Sequence, residues 1–99
     1  MKLTETEKDL ILHAVRAFKE RFGPLGADPK LTRYADYAKE LVFAEPKIVQ
    51  GTMPDNVRQS IAVTVAVEWY AQNTPDPAKE LLDLLSALQA FTVSHEFRD

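Results

Sequence analysis

Apolar residues recur at three- and four-residue spacing in four stretches of this chain, and prolines and glycines punctuate the gaps between them. The first stretch opens on Thr4-Glu5-Thr6-Glu7. This is a capping-box pattern, in which Thr4 accepts from the third helical amide and Glu7 reaches back to the amide of Thr4. Ile11, Ala14, Val15, Phe18 and Phe22 follow on one face, and Gly23-Pro24 closes the run, so a helix is predicted over 5–22. The second opens on Asp28-Pro29, an N-cap with proline at the first helical position. Its stripe is Leu31, Tyr34, Ala35, Ala38, Leu41 and Val42, and Pro46 is expected to stop it, giving a helix over 29–44.

The third stretch carries two periodicities. Ile61 to Tyr70 alternates large and small residues and is rich in β-branched side chains, which suits a strand. A helical wheel also separates it, with Ser60, Thr64, Glu68 and Gln72 on one side and Ala62, Val63, Val65, Ala66, Trp69 and Tyr70 on the other. Length decides for a helix over 54–73, because the span between breakers is too long for a strand. The fourth starts after Asp76-Pro77 and is striped by Leu81, Leu84, Leu85, Leu88 and Phe91, predicting a helix over 77–94. Four amphipathic helices with short links make an all-α, compact four-helix bundle, up-and-down by preference, as a single domain over 1–99. The third helix has the widest apolar face and is expected at the centre, with Ala62 and Ala66 admitting a close neighbour.

Composition narrows the chemistry. The chain has no cysteine, which removes disulfides, thiolate nucleophiles, Cys-type zinc sites and iron–sulfur ligation. No apolar run approaches the roughly 20 residues needed to span a bilayer. The start, MKLTETEK, turns acidic without a signal-type apolar region, so the expected setting is cytoplasmic, with no membrane partner. The net charge of −3 is uneven. Arg16 to Lys47 carries seven basic and five acidic residues, whereas Ile48 to Asp99 carries three basic and seven acidic. Each cation of the middle segment has carboxylates nearby, which reads as a solvated helix surface rather than a footprint for nucleic acid.

Candidate catalytic and metal groups are sparse. His13 shares an outward ridge with Asp9, Arg16 and Glu20, an open arrangement with no enclosure for a metal. His95 falls on the stripe of Leu84, Leu88 and Phe91 near the end of the fourth helix, where a structural role at the helix C-terminus is expected. Gly23-Pro24-Leu25-Gly26 lacks the spacing and the lysine of a phosphate loop. No catalytic residue, cofactor or metal ligand is assigned, and the chain is not expected to be an enzyme.

Misplaced apolar residues are more informative. Leu12 lies between Lys8 and Lys19 on the wheel, Phe43 on the Thr32–Asp36–Lys39 side, and Leu82 and Val93 on a second ridge separated from the main leucine stripe by Gln89. These four are the expected partner-binding residues. The sequence thus points to a small acidic helical protein–protein interaction module of the inhibitor, immunity, adaptor or regulator kind, its partner another protein or a second copy of itself. The alternatives are a nucleic-acid-associated domain using Arg16 to Lys47 and a ligand-binding bundle with its site near Trp69, Tyr70 and His95.

Overall fold

Thr4 accepts from the amide of Glu7 while the Glu7 carboxylate accepts from the amide of Thr4, and this reciprocal pair starts helix α1 (Glu5–Phe22) as the sequence predicts. A computed structural model describes residues 1–23 and 32–98, the side chains of 32 and 94–98 excepted. Helix α2 spans Thr32–Val49, α3 Val57–Gln72 and α4 Lys79–Arg98. Together they make the described residues about 80% helical, with no strand among them. The Asp28-Pro29 start proposed for the second helix lies outside the described residues. The third stretch is helical throughout Ile61–Tyr70. Length outweighs the β-branched content there.

Helix α2 runs through Pro46 rather than stopping before it. Proline removes one helical hydrogen bond and costs about 3 kcal/mol in a helix interior. Here it sits in the last turn, on the exposed side, so water can serve the freed carbonyl of Val42. Continuing the helix buries Ile48 completely, which is worth about 1.5–3 kcal/mol. It also sets up the true stop, where the Thr52 amide donates to Lys47 O and the Gly51 amide to Ile48 O. That pair is a Schellman motif, and it needs the left-handed backbone that Gly51 adopts at φ 88°. Two further bonds at about 0.5–1.5 kcal/mol each tip the balance toward the longer helix.

The two later helices differ from expectation at their ends. Asn56 caps α3 by accepting from the Gln59 amide, so that helix begins at Val57 rather than at 54. At its other end Asn73 Nδ2 donates to Trp69 O and Thr74 Oγ1 to Tyr70 O, which satisfies carbonyls that the helix leaves open. Helix α4 starts at Lys79 and continues to Arg98, beyond the predicted residue 94. A short pairing absent from the sequence reading ties down the N-terminus. Leu3 donates to Gly51 O and Met53 to Met1 O, around an antiparallel bridge between Lys2 and Thr52.

Consecutive helices are neighbours; α1 and α3 each touch all three others, but α1 meets α4 only slightly, so α3 is the helix packed extensively on every other. Among the described residues, α2 and α4 do not touch. The whole is a slab with extents of 35 × 35 × 22 Å. Its core is built from Ile11, Val15 and Phe18 of α1, Leu41 and Ile48 of α2, Val63 and Val67 of α3, and Leu84 and Leu88 of α4.

The central position of α3 overturns part of its wheel. Ser60 and Thr64, placed on the wet side by the sequence, are buried under α4. Their hydroxyls meet Thr92: Ser60 Oγ and Thr64 Oγ1 each lie 2.9 Å from Thr92 Oγ1, and Thr64 Oγ1 donates to Ser60 O at 3.0 Å. A carbonyl can only accept, so the one proton of Thr64 is committed to it. Thr92 therefore donates to Thr64, and Ser60 donates to Thr92. The three hydroxyls form a directed chain in which every proton is used.

Candidate docking face on α2 and α3

Leu12 is core, against the expectation that it faces a partner. It is 9% exposed and packs in the main apolar cluster. The reason is visible in the ions beside it. Glu45 of α2 accepts from Arg16 Nε at 3.3 Å and Lys19 Nζ at 3.1 Å, so α2 lies against that flank of α1. With α3 packed in front, the buried arc of α1 widens to include Leu12.

The other three residues are exposed. Phe43 shows 67% of its surface, Val93 46% and Leu82 45%. They do not form one patch. Phe43 belongs to α2, and Leu82 and Val93 to α4, two helices with no contact among the described residues. On α4 the two apolar residues are eleven positions apart, about 16 Å along the helix, with exposed Ser86 and Gln89 between them. Beside Leu82 and Val93 the described apolar residues that are exposed are small, Ala78 and Ala90, whereas Phe43 is followed at i+3 by exposed Pro46.

The rest of the apolar surface on α2 comes from an unexpected quarter. Val42, assigned by the sequence to the buried stripe, is 57% exposed, and Val49 is 52% exposed. Val42, Pro46 and Val49 recur at i, i+4 and i+7, with Phe43 flanking them, so they make an outward apolar arc along the second half of α2. Ending the helix before Pro46 hides this arc. Continued to Val49, the same wheel shows it.

A groove opens beside the arc, between α2 and α3. Its first depression, of about 450 Å³, is lined by Asp36, Tyr37, Lys39, Glu40, Arg58 and Ile61. The second, of about 390 Å³, shares Tyr37 and adds Tyr34, Val65 and Trp69 among its walls. Ile61, Val65 and Trp69 stand at i, i+4 and i+8 on α3, forming the ridge of that helix that lines the groove. All three are half-buried.

Trp69 closes the inner end of the groove. Its ring meets the rings of Phe18 at 5.7 Å and Phe22 at 5.5 Å, both edge-on, and Tyr34 stacks on Phe22 at 5.0 Å. Trp69 thus rests on the core without being sealed inside it. At the rim, Arg33 lies over the Tyr37 ring at 5.8 Å and its Nε donates to the Tyr37 hydroxyl. That hydrogen bond, and then the attraction of the same residue, hold the guanidinium above its ordinary pKa.

The remaining chemistry is limited. His13, Asp9, Arg16 and Glu20 are exposed as expected, and among the described residues no group of three or more His, Asp or Glu side chains could hold a metal ion. The side chain of His95 lies outside the described residues. No described helix is long and apolar enough to cross a membrane. Within the basic middle segment, Arg16 and Lys19 are engaged by Glu45. Comparison with protein-family models, curated proteins and solved structures finds no match to this chain.

Proposed function

We propose that this chain is a helical protein–protein interaction module that docks its partner on the outer face of α2. The observation that carries the reading is the arc of Val42, Phe43, Pro46 and Val49, with Phe43 two-thirds exposed. None of these residues belongs to the apolar core formed by the described residues. A large aromatic residue kept in water beside other apolar groups is what a docking anchor looks like, since anchors are enriched in aromatic residues and surrounded by contacts that exclude water. The adjoining groove supplies a receptor for a partner's side chains. Pairing of Arg16 and Lys19 with Glu45 weakens the case for nucleic acid, because those cations are already partly neutralised. Phe43→Ser tests the reading. It should leave unfolding unchanged within about 0.5 kcal/mol while abolishing partner capture by the immobilised protein. A variant that captures as the wild type does would contradict it.

A second reading has one observation in its favour. The depression walled by Tyr34, Tyr37 and Trp69 could hold a small organic ligand, and Trp69 is the only tryptophan of the chain. Native mass spectrometry of gently purified protein tests this: a stoichiometric added mass supports a ligand, and the bare chain mass of 11.2 kDa opposes it.

A further inference from the structure

We infer that the partner is a second copy of this chain, paired about a two-fold axis, with Phe43 of each copy seated in the Tyr37–Ile61 depression of the other. This rests on the interaction reading above and identifies its occupant. Phe43 stands one helical turn beyond Lys39 and three residues beyond Glu40, both of which line that depression. Anchor and receptor therefore lie next to each other on the same edge of α2. An isologous interface needs this arrangement, because a two-fold axis between the two places each anchor over the other copy's receptor and closes the assembly at two.

Charge points the same way. The depression carries Asp36 and Glu40 against Lys39 and Arg58, two charges of each sign around half-buried Tyr37 and Ile61. Elsewhere α2 uses its carboxylate well: Glu45 holds both Arg16 and Lys19. The four charges of the depression have no such use, for none makes a side-chain hydrogen bond or ion pair among the described residues. A sign-balanced rim is complementary to itself. A partner carrying one dominant sign would meet as much repulsion as attraction there, whereas a second copy brings two anions to two cations.

The test is sedimentation equilibrium on the full chain from about 1 μM to about 1 mM, the range of transient interfaces. The wild-type mass should rise from 11.2 kDa toward twice that value. Phe43→Ser should weaken the pairing at least tenfold, as loss of an aromatic anchor does. Two charge variants give an independent arm: Asp36→Lys with Glu40→Lys makes the rim wholly basic, and Lys39→Glu with Arg58→Glu makes it wholly acidic. Neither should pair with itself, yet a mixture of the two should form a heterodimer. Circular dichroism verifies that each variant is folded. A wild type that stays monomeric throughout overturns the inference, as does a dimer indifferent to both the anchor and the charge variants. If the wild type is monomeric while Phe43→Ser still abolishes capture of a different protein, the interaction reading stands and self-pairing falls. If capture is also unchanged, both fall.

Discussion

Replacing Thr92 with valine keeps the shape of the side chain and removes its hydroxyl from the buried contact between α3 and α4. Two of the three hydroxyl hydrogen bonds break at once. The Ser60 hydroxyl, wholly buried, loses its acceptor, and Thr64 Oγ1 loses its donor while still donating to Ser60 O. An orphaned buried donor costs about 1–3 kcal/mol, so Thr92→Val should destabilise by about 2 kcal/mol. For a chain of this size that is a fall of roughly 8–16 °C in Tm. Ser60→Ala breaks only the bond into Thr92 and should cost about 1 kcal/mol. The informative variant combines Ser60→Ala, Thr64→Val and Thr92→Val. It leaves nothing polar to satisfy, and should return to within about 1 kcal/mol of the wild type. Urea unfolding followed at 222 nm gives all these values. Single changes that each cost under about 0.5 kcal/mol, or a triple variant as unstable as the sum of its parts, would refute the directed chain of hydroxyls.

Further predictions follow from the same packing. Leu12→Ala should cost about 2–3 kcal/mol in urea unfolding, because Leu12 is core, and a cost below 0.5 kcal/mol would return it to the surface. Gly51→Ala should cost about 1–2 kcal/mol from its left-handed backbone alone, since the nearest atom to an added Cβ is Leu3 O at 4.0 Å. A loss beyond 3 kcal/mol in that variant would point to a steric cause. Glu45→Gln should cost about 0.5 kcal/mol at low salt and almost nothing at 1 M salt, because its ion pairs are partly exposed. A salt-independent cost would mean that Glu45 acts through packing instead.

How far the sequence revealed this molecule depends on where its signals are local. The start of α1 is legible because Thr4 and Glu7 act within one turn. The helical state of α3 is legible because its length excludes a strand. Three features were hidden for separate reasons. Leu12 looks exposed on a wheel of α1 alone, since only the position of α2, marked by Glu45, widens the buried arc. Thr64 looks wet because its acceptor is its own helix and its donor comes from Thr92, 28 residues away. Pro46 looks like a terminator until the burial of Ile48 and the Gly51 cap are weighed against it. That last misreading also concealed the apolar arc, because Val49 lies beyond the apparent end of the helix. The exposure of Phe43 is legible in the sequence, but the groove beside it is not, since Tyr37 and Ile61 meet only in the folded chain.

The central claim is that the outer face of α2, with the adjoining groove, is where this protein meets its partner, and that the partner is its own copy. A dilution series of amide correlation spectra tests it most directly. Between about 1 mM and about 10 μM, the span over which a transient dimer dissociates, signals from 36–49 and 58–69 should shift together along one binding curve. Those around Leu82 and Val93 should stay still. Spectra that do not change with concentration, or shifts centred on Leu82 and Val93, would contradict the account.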